Sequence, residues 1–292
     1  MGRSTRVLAE GFYFGEGPRW RDGRLWFSDF YAHAVMSVSL AGDLRKEFEI
    51  DDQPSGLGWM PDGSMLIVSM IKRQVLRRTA GGAISVHADL GAIASFHCND
   101  MLVDGSGRAY VGNFGFDLER EIAAKGAPAV FADHARAKLA CVSPEGVVSV
   151  AASDMDFPNG AVITPDGKTL IIGETFGSVL TAFDIGVDGG LSGRRAWAPT
   201  GPRIPDGICL NAAGQVWIAN AFAPECALIA EGGEVLEVVD TGNPCFACML
   251  GGDDGKTLFM LTAAASGDAG AAHAALGKLV IATVDSPHAG RP

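Results

Sequence analysis

Residues 54–69 read Pro-Ser-Gly-Leu-Gly-Trp-Met-Pro-Asp-Gly-Ser-Met-Leu-Ile-Val-Ser: a short apolar strand, a turn at Pro61-Asp62-Gly63, and a second apolar run. Pro-Asp-Gly between two such runs is hairpin chemistry, because proline and glycine supply the turn dihedrals that the strands cannot adopt. The same phrase returns along the chain. A glycine followed by an apolar run occurs at Gly23 (RLWFSD), Gly63 (SMLIVSM), Gly107 (RAYVGN), Gly167 (KTLIIGE), Gly214 (QVWIAN) and Gly255 (KTLFMLT). The intervals are 40, 44, 60, 47 and 41 residues, the length of a four-stranded propeller blade, and helical periodicity is nearly absent. The pattern predicts an all-β fold, a six-bladed β-propeller, with each glycine hairpin forming the two inner strands of a blade.

Composition agrees. The chain has 292 residues, 48% hydrophobic and 20% charged, which supports a sizeable core. That length fits two ordinary domains or one large ring; the repeat selects one propeller over residues 1–292. Glycine, at 39 residues and without a collagen period, implies many tight turns. A formal charge of −11 opposes nucleic-acid and anionic-membrane partners. No run approaches the roughly 20 apolar residues of a membrane helix. No apolar signal core follows Met1-Gly2-Arg3-Ser4-Thr5-Arg6, so a cytoplasmic location is expected. Under that expectation the six cysteines are reduced, and Cys245-x-x-Cys248, lacking a second pair or a βαβ setting, reads as buried strand cysteines.

A ring must close, since an open one leaves a sheet edge free to pair elsewhere. Thr5–Ala9 and Lys278–Ala282 both read as strands and are expected to share one blade. The 60-residue interval carries an excess near residues 114–138, where Asp117–Lys125 favours helix and Gly126 can stop it. This segment reads either as a cover over one mouth of the channel or as a plain surface insertion.

Rotational symmetry also locates chemistry. Eight positions before the blade glycines stand Ser55, Asn99, Asn159, Asp206 and Ala247, and Glu16 precedes Gly23 by seven. Glu16, Asn99, Asn159 and Asp206 therefore converge at the starts of inner strands. Two carboxylates and amide oxygens brought together without Lys or Arg suit one hard divalent cation, calcium first, with zinc, manganese or magnesium as alternatives. Turn-forming Asn and Asp at strand starts are the competing explanation. Asp29, Asn113, Glu174 and Asn220 recur at a second offset and read as turn caps.

Gly15-Glu16-Gly17-Pro18-Arg19-Trp20, Asn99-Asp100 with Asp104 and Gly107-Arg108, Phe157-Pro158-Asn159-Gly160 and Pro205-Asp206-Gly207 together resemble the SMP-30/gluconolactonase/luciferin-regenerating-enzyme family of six-bladed propellers. The resemblance implies a metal-dependent hydrolase in which Glu16, Asn159 and Asp206 bind one divalent cation, Asn99 lies near the metal or substrate, and Asp206 is the acid/base residue. Sugar-lactone hydrolases of the family tend to carry Arg two residues before the matching Asn. Here that position is His97, which offers at most two donors, so a less polar lactone or ester becomes plausible beside a sugar-derived one. A family carboxylate that binds substrate hydroxyls falls on Asp117 by counting; an exposed Asp on the insertion is the alternative.

These residues suggest opening of a cyclic ester by water, with the metal stabilising the forming oxyanion and His97 or Asp206 moving the proton. His97 titrates naturally near neutrality, whereas a cation-bound carboxylate is a poor base; a packed, hydrogen-bonded histidine is the other reading of His97. No Gly-x-Ser-x-Gly elbow or dinucleotide fingerprint is present. Phosphotriester hydrolysis at the same metal, or a non-catalytic binding propeller stapled by it, are the alternatives. The expected partner is a small-molecule lactone or ester, with monomer and homodimer both open.

Overall fold

The computed structural model describes residues 3–264, 266–267 and 270–290; the remaining positions at the two ends of the 1–292 span and in blade six lie outside the described residues. Among the described residues there are six four-stranded antiparallel sheets, each built from consecutive strands except the last. The innermost strands are Gly15–Arg21, Pro54–Trp59, Cys98–Val103, Pro158–Ile163, Pro205–Leu210 and Cys245–Gly251. Each packs against the innermost strand of the next blade, and the sixth packs against the first, so the ring closes. The molecule is the six-bladed propeller that the repeat predicts.

Burial explains the sequence texture. Inner strands are covered on both faces, and Pro158–Ile163 and Thr169–Glu174 accordingly read as continuous apolar or small runs rather than alternating ones. Outer strands such as Leu44–Glu49 and Val235–Asp240 face water and are mostly polar or exposed. The core lies between blades. Leu102, Tyr110 and Leu139 of blade three pack on Ala161, Leu170 and Phe183 of blade four, and Val162, Ile171 and Leu180 meet Ile208, Ile218 and Ala227 of blade five. Each large apolar side chain buried this way stabilises the fold by about 1.5–3 kcal/mol.

The terminal strands share a blade. Thr5–Phe12 is the outermost strand of blade six and pairs antiparallel with Gly277–Thr283, Thr5 opposite Ala282 and Val7 opposite Val280. Arg3 extends the fastening through ion pairs to Glu237 of blade five and to Asp285.

The interval over 114–138 contains two helices where the composition suggests one: α1 (Leu118–Lys125) and α2 (Ala127–Ala132). The Asp117 side chain caps α1 by accepting the Arg120 N–H at 3.1 Å, and Gly126, at φ 81°, ends it. Pro128 within the first turn starts α2, a signal that the first helix masks in the sequence. Both helices connect the second and third strands of blade three. They therefore stand at the end of the ring where the inner strands begin.

Candidate metal and catalytic site at the channel mouth

Every inner strand carries a β-bulge near its start, with register shifts at Glu16/Arg19, Pro54/Leu57, Cys98/Met101, Pro158/Ala161, Pro205/Ile208 and Cys245/Ala247. A bulge re-aims the side chains it contains. Glu16, Ser55, Asn99, Asn159 and Asp206 all sit at this irregularity, which is the structural meaning of their common offset. In blade six the equivalent residue, directly after Cys245 as Asp206 is after Pro205, is Phe246; counting from the glycine had placed Ala247 there, because the hairpin from this bulge to Gly255 is longer than in the other blades.

Glycine follows the bulge residue in several blades because the strands crowd. A Cβ on Gly56 would stand 2.2 Å from the Met101 nitrogen, and one on Gly160 2.5 Å from the Ile208 nitrogen. This close approach brings the polar side chains of neighbouring blades together. Glu16, Asn99, Asn159 and Asp206 are each at most 8% exposed. The Nδ2 of Asn159 donates to Thr175 Oγ1 at 3.2 Å, and that hydroxyl donates to the Pro205 carbonyl at 2.9 Å. The Asn159 side chain also hydrogen-bonds the Asp206 carboxylate. Glu16 Oε2 accepts the Gly17 N–H at 3.2 Å.

A third carboxylate joins them. Asp100 is buried, and among the described residues its ion-pair partner is Arg19, Nη2 to Oδ1 at 3.5 Å. Arg19 is itself buried and donates to the Pro18 carbonyl at 2.7 Å and to the Met101 carbonyl. Sequence reasoning quoted both residues without seeing this role: strand alternation sends Asn99 and Asp100 to opposite faces, and only the bulge changes that. Burial pushes the Glu16 carboxyl well above the usual range, reinforced by Asp206 and Asp100. Burial, then Asp100, pushes Asp206 up as well, against the Asn159 hydrogen bond. Neither Glu16 nor Asp206 has a Lys, Arg or His ion-pair partner among the described residues.

The donor set fits a hard cation. Asn159 Oδ1 is buried without a hydrogen-bond partner, and two mutually repelling carboxylates flank it. Asn99 Nδ2 and Ser55 Oγ are likewise buried and unpartnered. Among the described residues no group of three His, Cys, Asp or Glu side chains is arranged to hold a metal.

The remaining candidates lie around this centre. His97, just before the inner strand of blade three, stacks on Phe96 with ring centroids 4.0 Å apart and lies 6.1 Å from the Phe114 ring. Asp117 faces the α1 N-terminus as its cap. Asn220 accepts the Phe222 N–H and Asn113 the Gly115 N–H, capping the turns that follow them, whereas Asp29 accepts the Tyr13 and Phe14 N–H groups and Glu174 the Asp156 N–H, bracing the segments that lead into the inner strands. Cys98 is fully buried and its thiol is pushed up to about 12 by desolvation, which makes it inert. Cys245 and Cys248 are buried in the core. A cavity of about 320 Å³ lined by Trp20, Arg21, Trp59 and Asp104 opens at the other, turn-bearing end of the inner strands.

The chain is similar to pentonolactonase XacC of Haloferax volcanii, 25% identical over 279 residues that span 91% of this chain and 87% of that protein. Its fold is similar to a luciferin-regenerating enzyme (TM-score 0.81, 16% identity, 98% of this chain and 97% of the other). It is also similar to a calcium-binding protein, regucalcin, from Agrobacterium tumefaciens (TM-score 0.76, 20% identity, 98% and 97%). The model of the SMP-30/Gluconolactonase/LRE-like region matches residues 14–264, from the strand bearing Glu16 to the end of blade six's second strand, and the chain therefore belongs to that family.

Proposed function

We propose that the protein is a divalent-cation-dependent hydrolase that opens a lactone ring with water at the channel mouth. The observation that carries this reading is the Glu16–Asn159–Asp206 set: two buried carboxylates with no counter-cation and a buried amide oxygen with no donor. The likeness to a pentonolactonase along most of both chains supports a lactone as the substrate class. Glu16, Asn159 and Asp206 would hold the cation. Calcium is the first to test, since every donor is an oxygen and a protein of this fold is described as calcium-binding; zinc, manganese and magnesium follow. When bound, the cation supplies Lewis acidity toward the lactone carbonyl oxygen.

The chain's own residues do the rest. Thr175, accepting from Asn159 Nδ2 and donating to the Pro205 carbonyl, fixes the amide so that its oxygen faces the channel. Arg19 holds Asp100 in place. The unpartnered Asn99 Nδ2 donates to a substrate oxygen, and His97 and Asp117 flank the approach. The proton leaves the attacking water for Asp206 or His97 and returns to the leaving alkoxide.

Proton release from lactones, measured on chelator-stripped protein before and after adding each cation, tests the reading. Turnover is expected only with cation and is abolished by Glu16→Ala or Asp206→Ala. Folded, cation-loaded protein that opens no lactone overturns it. His97→Gln assigns the base: kcat falls about 10²-fold or more, with cation affinity retained, if His97 takes the proton, and is unchanged if Asp206 does.

A further inference from the structure

The end of the ring that carries these polar groups gathers aromatic residues from five of the six blades, with Met70 from blade two. Phe14 and Phe30 of blade one pack 5.3 Å apart, and Phe14 meets Phe246 of blade six at 4.7 Å. Met70 of blade two, Phe114 of blade three and Ala221 of blade five join the same cluster. On the other side Phe114 packs on Phe157 of blade four at 4.6 Å, and Phe157 on Phe176 at 5.1 Å. Phe131 of α2 then bridges Phe176, at 4.6 Å, to Phe222 of blade five, at 5.4 Å. These residues precede inner strands, follow second strands, belong to α2 or, as Phe246, sit at the bulge where an inner strand begins, so all stand at the end of the ring that carries Glu16 and Asp206. Residues of all six blades thus gather at one end as a Phe-rich collar at the mouth.

The collar is held under load. Phe157 has φ 61°, a left-handed conformation that costs a bulky side chain, and it precedes Pro158, which narrows its choices further. It is 5% exposed, pinned by the rings of Phe114 and Phe176, and its neighbour Asn159 is the unpartnered amide of the site. Strain of this kind persists where the surroundings over-determine it, commonly beside a functional centre.

A polyhydroxylated ring at the centre would press its hydroxyls unpaired against the rings that stay partly exposed, Phe114, Phe131, Phe176 and Phe222, which is costly, whereas an apolar group gains their contact. Resting on the lactone-hydrolase reading, we infer that the substrate is a lactone bearing an aryl or alkyl substituent, which the Phe collar binds while the ring lies at the polar centre.

The test compares three six-membered lactones on the cation-loaded protein: 6-phenyl-δ-valerolactone, δ-valerolactone and D-glucono-δ-lactone. The phenyl compound is expected to exceed the unsubstituted ring in kcat/KM by about 10- to 200-fold, with the gluconolactone lowest. Phe176→Ser should cut the phenyl-to-unsubstituted ratio at least tenfold. Phe222→Ser, at a side chain already 57% exposed, should cut it as well and guards against a folding defect at Phe176. Calorimetric binding of 6-phenyl-piperidin-2-one, the slowly hydrolysed lactam, should weaken at least tenfold in either variant. A gluconolactone rate equal to or above the phenyl rate, or an unchanged lactam affinity in both variants, overturns the inference and leaves the hydrolase reading standing. If none of the three lactones opens, the hydrolase reading fails and the inference falls with it.

Discussion

At the scale of single residues, the site is a place where the fold concentrates negative charge that it does not neutralise. Glu16 and Asp206 are both pushed up by burial and by neighbouring carboxylates, so in the metal-free folded state each holds its proton more tightly than in the unfolded chain. The stability they contribute is fully present below the ordinary carboxylate range and is lost as pH rises through the raised folded values. Chelator-treated protein is therefore expected to lose thermal stability as pH rises above the ordinary carboxylate range. A Glu16→Gln/Asp206→Asn double variant should lose less and unfold several degrees higher at the alkaline end, at about 2–4 °C per kcal/mol for a chain of this size. Calcium should raise the unfolding midpoint of the wild type and leave the double variant's unmoved. Coincident pH profiles for the two proteins would show that these carboxylates do not repel. Neither the pairing of Asp100 with Arg19 nor the orphaned Asn159 oxygen is legible in the sequence, because both depend on where a bulge turns a side chain.

At the scale of elements, the inner strand is the functional unit. Its bulge aims the polar residue inward, and the small residue after it lets the next blade come close. Gly56→Ala puts a Cβ against the Met101 backbone, so it should destabilise by at least about 1–3 kcal/mol in denaturant titrations and reduce turnover, since Asn99 and Asp100 lie on the displaced strand. The helical insertion is a second unit. Asp117→Ala removes the α1 cap, costing about 1 kcal/mol locally and speeding amide exchange in 118–125, whereas Asp117→Asn keeps the cap. A KM raised by the Asn variant identifies Asp117 as a substrate contact; a change confined to Ala leaves it a cap. The helix composition of Asp117–Lys125 and its Gly126 stop are plain in the sequence, and the short second helix is not, because six residues give too little periodicity to read.

For the molecule as a whole, closure decides stability. Deleting the residues through Phe12 strips the outer strand from blade six and bares the edge of Gly277–Thr283, which invites pairing between molecules. Loss of buried Phe12 alone should cost at least about 3 kcal/mol, read as a lowered urea midpoint together with larger species in size-exclusion chromatography. Arg3→Ala, which removes only partly exposed ion pairs, should cost no more than about 1 kcal/mol. No helix among the described residues is long and apolar enough to cross a membrane. By itself the sequence determined the six-bladed ring, its closure by Thr5–Ala9 against Lys278–Ala282, and the equivalent places of Glu16, Asn99, Asn159 and Asp206 at the starts of their inner strands, because repeats and turns are local and symmetry carries an offset from blade to blade. Tertiary structure alone decided that Phe246 stands at the blade-six bulge, that Met249 packs in the core, and that Phe rings scattered from 14 to 246 gather at one end of the ring. Phe30, Met70, Phe114 and Ala221 each stand seven residues after a blade glycine, but Phe131 of the insertion has no counterpart, and all come together only when six blades bring their ends around one axis.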